Sequence, residues 1–191
     1  MRKRDIIAIG GSLGGLDALR RVVGALPADF PAVLLAVLHT GPTSPRLLAQ
    51  IVGSSTPLKV AYAENDDEVQ PGRLLIAPPD CHMTVRPPGV VSLDSGPKVR
   101  HARPAVDRLF ESVAHTYGPR SIGIVLSGGD HDGTDGLDAI KAAGGLAIVQ
   151  DPRDAYDPQM PFSAVRGDHP NFIAPVDEIG PLLKRLVLAE Q

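Results

Sequence analysis

"IIAIGGSLGGLDAL", residues 6 to 19, sets a short apolar run ahead of a Gly-rich turn and follows it with an amphipathic stretch. A β-branched run, then glycine, then helical periodicity is how a βαβ unit begins. Leu16, Leu19, Val22, Val23 and Leu26 fall at helical spacing before Pro27, and "AVLLAVL" (32–38) is apolar throughout, as expected of a strand buried on both faces. That second run ends in His39. "SIGIVLSGG" (121–129) repeats the opening pattern of a buried strand running into glycine. The alternation predicts an α/β fold, a doubly wound and mostly parallel sheet in a Rossmann-like three-layer arrangement.

Further elements follow by the same rules. Ser44 before Pro45 reads as an N-cap opening a helix through Leu47, Leu48, Ile51 and Val52. Residues 57 to 99, with "RLLIAP" and the Pro-Gly-punctuated "VRPPGVVSL", read as a small antiparallel hairpin flap beside the parallel core. Val106, Leu109, Phe110, Val113 and Tyr117 return to helical spacing. A helix near 134–143, a strand "LAIVQ" and a helix near 176–188 complete the pattern, with no repeat and no linker. Residues 1–191 are expected to form one domain.

Composition narrows the function. The chain has 191 residues, is 43% hydrophobic and 21% charged, and carries a formal charge of -3 with its 19 basic residues scattered. That is no electrostatic footprint for nucleic acid. Cys81 is the only cysteine, so neither an internal disulfide nor a cysteine zinc cluster can form. "MRKRD" is followed by too short an apolar run for a signal peptide, and nothing approaches a membrane span. The expected location is the cytoplasm, without membrane insertion.

The turn at residues 10 to 15 admits two readings. A dinucleotide fingerprint needs glycine where Ser12 stands and an acidic residue near the end of the second strand, where His39 stands. It fails both requirements. Read as GxSxG, the match through Gly10, Ser12 and Gly14 is complete and lies between a strand and a helix, as a nucleophile elbow must. The helix N-terminus beyond it offers unpaired N–H groups to a developing oxyanion. A plain turn or N-cap serine is the structural alternative. His39, at the end of the second strand, shares the edge on which open α/β sheets build their sites. "LSGGDHDGTDGLDAI" brings Asp130, Asp132 and Asp135 to a third strand end, and any of the three could orient a histidine. Only one is expected to meet its outward nitrogen. Asp135 is also explained by the dipole of the helix it opens, and His131 reads as surface. The DxD spacing misses the glycine and glutamate of an EF-hand, so no metal is expected.

Six blocks in order then carry a resemblance: "IGGSLGG" (9–15), "VLHTG" (37–41), "LIAPPDCHM" (75–83), "KVRHARPAVDRLF" (98–110), "VLSGGDHDGTDGL" (125–137) and "QDPRDAYDPQMPFSAV" (150–165). Over nearly its full length the chain resembles the catalytic domain of the chemotaxis protein-glutamate methylesterases, the CheB-like family. The resemblance implies a Ser, His, Asp triad on Ser12, His39 and Asp132, a chain order unlike that of the α/β-hydrolases. It implies oxyanion donors in the backbone N–H groups of Leu13 and Gly129, at positions where the family commonly has threonine and methionine. Backbone donors survive such changes. Gln159 and Phe162 replace the glycine and basic residue that usually flank the segment of Met160 and Pro161. Arg103 and Met160 are the candidate substrate contacts, while His82 and His101 are expected to hold loops.

The implied reaction is hydrolysis of glutamate 5-methyl esters on a chemoreceptor-like or related sensory protein, without a cofactor, with glutamine deamidation as a second activity. The family's receiver domain finds no counterpart ahead of Ile6, so the chain is expected to be constitutively competent or gated by a separate regulatory partner. A catalytically weak scaffold module, suggested by the altered 159–162 segment, is the alternative from another class. Nucleotide binding is a third.

Overall fold

β1 (Ile6–Gly11) and β2 (Val33–Leu38) are buried at every position, so both faces of the sheet they form must be covered. In the computed structural model, which describes residues 3–188, the cover is helical on both sides. The remaining elements, in chain order, begin with α1 (Gly15–Gly24), α2 (Leu48–Gly53), β3 (Lys59–Tyr62), β4 (Arg73–Ile76), β5 (His82–Arg86) and β6 (Val90–Asp94). α3 (Val106–Tyr117), β7 (Ser121–Val125), α4 (Thr134–Ala142), β8 (Leu146–Gln150), α5 (Gln159–Asp168), β9 (Phe172–Ala174) and α6 (Val176–Leu188) follow. The main sheet runs β3-β4-β2-β1-β7-β8-β9 with every pairing parallel. From β1 the chain moves to β2 and on to the edge strand β3, with β4 inserted between them, then crosses to β7, β8 and β9 on the other side, and the C-terminal ends of all seven strands share one edge.

Two apolar clusters fill the space between layers. Ile7, Ile9 and Leu34 pack with Leu19 and Val22 of α1 and Leu183 of α6 on one face. Ala8, Leu35 and Val37 pack with Phe110 of α3, Leu137 of α4 and Met160 of α5 on the other. Alternate residues of each strand thus serve opposite clusters, as a period of two requires. Among the described residues no helix is long and apolar enough to cross a membrane.

Three local expectations need correction. The segment 57–99 is not wholly an antiparallel flap: β3 and β4 join the parallel sheet, and only β5 with β6 forms the separate hairpin. Leu74, Leu75 and Ile76 are buried as a continuous run, which suits a covered parallel strand rather than a one-faced hairpin. The second helix starts at Leu48 instead of after Ser44, because Ser44 and Leu47 close tight turns onto Gly41 and Pro45. The hydroxyl of Tyr62 accepts the amide of Leu48 at 3.1 Å, doing from a distant strand what Ser44 was expected to do. α5 and β9 escaped notice, since α5 carries Pro161 in its first turn and β9 spans only three residues.

Candidate active site

The parallel register assembles the site. Gly11 of β1 lies opposite Leu38 of β2, and the amide of His39 donates to the Gly11 carbonyl at 3.0 Å. One step further on each strand stand Ser12 and His39. On the other flank Gly10 pairs with Val125 of β7, and the Ser12 amide donates to the Ser127 carbonyl at 2.9 Å. Ser12 is thereby pinned between the tips of two neighbours. Gly14 adopts φ +80°, in the left-handed region, and a Cβ there would lie 2.6 Å from both Ser127 Oγ and Tyr156 Cβ. Only glycine makes this turn without strain.

Close approach continues at the third strand tip. A Cβ on Gly128 would fall 2.1 Å from Met160 Sδ and 2.9 Å from Ser12 Cβ. Met160 is fully buried, and its amide donates to the Gly128 carbonyl at 2.8 Å. Met160, expected as a substrate contact, therefore packs beneath the loop in this structure. The backbone N–H groups of Leu13 and Gly129 make no hydrogen bond within the described chain, and both residues are exposed.

His39 faces a carboxylate at each ring nitrogen, through a hydrogen bond at Nε2 and at ion-pair distance at Nδ1. Nε2 lies 2.8 Å from Asp132 Oδ2, and Nδ1 lies 3.1 Å from Asp130 Oδ2. Only Asp132 meets Nε2, and strand-end geometry places a second acid on the other side of the ring, beside Nδ1. The two acids differ in setting: the Asp132 side chain is 0% exposed and that of Asp130 38%. Burial alone would lower the His39 pKa, but the two carboxylates outweigh it and raise it to about 9. Burial alone would raise Asp130, yet its bond to His39 and the Asp132 amide hold it below the ordinary carboxylate value.

Asp132 stands at the N-terminus of α3, where its oxygens accept the amides of Val106 at 2.6 Å and Asp107 at 2.9 Å. Such unpaired amides favour an anion. Asp107, in the first turn of α3, returns the arrangement by accepting the amides of Gly133 at 2.9 Å and Gly136 at 2.8 Å at the start of α4. Burial, added to the nearby charges of Asp132 and Asp135, pushes Asp107 up to about 6 against those backbone bonds. Sequence reasoning missed Asp107, because an acid in a first helical turn is so common that it singles out nothing.

A cavity of about 190 Å³ opens beside His39, lined among others by Asp130, Lys98, Arg100, His101 and Arg103. Arg103 reaches it as a tied side chain: Nε and Nη2 donate to Asp80 at 3.0 and 2.7 Å, and Nη1 donates to the carbonyls of Ser95 and Gly96. His82 is buried, accepts the Ala105 amide at Nδ1 and meets the Pro97 carbonyl at Nε2, which fixes the loop between them. His101 is exposed at positive φ on the cavity wall. Asp135 is exposed and paired with Arg100, and His131 lies on the surface 2.6 Å from Ser163 Oγ.

Comparison with known proteins adds three findings. The family model described as CheB methylesterase matches residues 7–183. A Methanosarcina mazei protein named protein-glutamate methylesterase/protein-glutamine glutaminase 2 is 37% identical over 96% of this chain, which spans 52% of its length. A Leptospira interrogans protein named for the same two activities is 34% identical over 95% of this chain and 94% of its own. The crystal structure of the Thermotoga maritima CheB methylesterase catalytic domain superposes with a TM-score of 0.92 at 33% identity, covering 98% of this chain and all of the other.

Proposed function

The chain belongs to the CheB methylesterase family, a family of ester hydrolases, and from that premise we propose that it demethylates glutamate 5-methyl esters on a chemoreceptor-like protein using Ser12, His39 and Asp132. The carrying observation is the clamp on His39, whose Nε2 is fixed by a buried, amide-held Asp132, and which follows Leu38 as Ser12 follows its register partner Gly11.

With Nε2–H committed to Asp132, Nδ1 is the nitrogen left to act as base. Ser12 Oγ attacks the ester carbonyl carbon as its proton passes to Nδ1, and the carbonyl electron pair moves onto oxygen. The free N–H groups of Leu13 and Gly129 are the proposed donors to that oxyanion. Collapse expels methoxide, which takes the proton from Nδ1 and leaves as methanol. Water then gives a proton to Nδ1 and attacks the acyl group, Ser12 Oγ departs with that proton, and the glutamic acid so formed loses its remaining proton to solvent. Asp132 remains ionised throughout, keeping the ring tautomer correct. Arg103 is the proposed contact for a polar group of the substrate at the cavity wall, and Met160 supports the loop that presents Gly129.

The same attack on a glutamine side chain would release ammonia, a second reading favoured by the paired activities in the names of the two relatives. The partner in either case is a methylated or amidated sensory protein.

Methanol release from a methylated receptor fragment tests the proposal. Ser12→Ala is expected to abolish release, and labelling by a serine-directed phosphonate, while far-UV circular dichroism stays unchanged. Turnover or labelling that persists in the variant removes Ser12 from the mechanism. A wild-type protein that binds the fragment without releasing methanol would instead be the scaffold module.

A further inference from the structure

A neutral imidazole carries one N–H, whereas both ring nitrogens of His39 face carboxylate oxygens, Asp132 at 2.8 Å and Asp130 at 3.1 Å. Two ionised acceptors are satisfied together only by a doubly protonated ring. In this arrangement the nitrogen that must receive the serine proton is already occupied. Asp132 cannot yield, being buried and fixed by the Val106 and Asp107 amides. Asp130 can: its Oδ1 accepts the Asp132 amide at 2.8 Å, its Oδ2 faces Nδ1, and its side chain borders the cavity that opens beside His39.

Resting on the reading of Ser12 and His39 as nucleophile and base, we propose that Asp130 is a positioning residue that keeps His39 in a proton-loaded resting state and must withdraw from Nδ1 before the serine can be activated. A substrate segment entering the cavity fills the space beside this carboxylate, so binding and release of the base are one event. Brake and substrate share a site.

The charged surroundings of His39 define what a pH experiment reads. Asp132 and Asp130 face the ring directly, and Asp107 lies behind Asp132. Lys98, Arg100, His101, Arg103 and Asp80 line the adjoining cavity, with Arg103 paired to Asp80 and Arg100 to Asp107 and Asp135. A general base works in its neutral form, so activity rises as pH climbs through the His39 pKa, which stands at about 9 in the resting arrangement. Removing the negative charge of Asp130 withdraws one of the two groups that raise it. The acid limb must then move to lower pH.

Asp130→Asn retains an oxygen for the Asp132 amide while losing the charge. Two measurements on the full chain decide the matter. The first is the NMR titration of the His39 ring in both proteins, where the variant is expected to titrate at least about one unit lower. The second is kcat/KM for a short-chain ester against pH. Its acid limb should fall by the same amount, making the variant roughly tenfold faster near pH 7. An unshifted ring titration, or a uniform loss of activity at every pH with the limb in place, overturns the proposal. A shifted titration in a protein that hydrolyses no ester supports the clamp by Asp130 and overturns the esterase reading instead, so the two failures are distinct. Should the asparagine variant not fold, Asp130→Ser, which also leaves an oxygen for the Asp132 amide, replaces it in both measurements.

Discussion

The two sides of His39 are built on opposite principles. On the Nε2 side, Asp132 is buried, fixed by two amides of α3, and backed by Asp107, which in turn holds two amides at the start of α4. On the Nδ1 side, Asp130 sits in a loop, partly open to solvent, at the edge of a cavity. Orientation of a base demands rigidity, because a misplaced ring loses its partner. Exchange of a proton with incoming groups demands access. On the proposed mechanism, the site separates these needs by giving one nitrogen to each.

The sharpest way to break this comparison is Asp132→Asn. An amide there keeps one acceptor but cannot enforce the N–H on Nε2, and kcat should fall by about 10⁴-fold, as in other triads that lose the correct tautomer. Stopped or steady-state ester assays suffice. A loss of less than about tenfold, or a gain like that expected of Asp130→Asn, would mean the two sides are equivalent, and the assignment of Asp132 as the orienting acid would fail.

Asp107→Ala probes the support behind the clamp rather than the clamp itself. It strips the partners from the Gly133 and Gly136 amides in a buried setting, for a stability loss of about 2–4 kcal/mol. Urea unfolding monitored by circular dichroism measures it. A change under about 0.5 kcal/mol, the range of ordinary surface substitutions, would show that the helix starts are satisfied some other way.

The smallest effect belongs to Asp135→Asn. Its exposed pairing with Arg100 lies in high dielectric and contributes little. Activity should change by less than about twofold, and both unfolding midpoint and pH profile should stay in place. A large loss would bring the third loop acid into the site and undo the division between its two sides.

How much of this could be read beforehand follows from the range of the interactions. β1, β2 and β7 announce themselves through uninterrupted apolar runs, and a strand end is local, so Ser12, His39 and the acidic loop were all visible as edge residues. Whether β4 pairs in parallel with β2 depends on contacts some forty residues apart, which periodicity does not encode. The same holds for the cap that Tyr62 gives α2. The choice of Asp132 among three acids came from the family resemblance, and its physical basis, the N-terminus of α3, appears only when residues 106 and 132 meet in space. Asp130 at Nδ1 had no local signature at all.

The reciprocal arrangement of Asp107 and Asp132 also has a temporal meaning. Neither helix start can fray alone, because melting the first turn of α3 strips the acceptor from the α4 amides, and melting the first turn of α4 displaces the acceptor of the α3 amides. Residues about twenty-six apart in the chain thus share one opening event, and the fluctuations that would loosen the histidine are as infrequent as the separation of two packed helices. The durability of the His39 orientation is set by that interface, while the loop carrying Asp130 keeps the faster clock of an exposed turn.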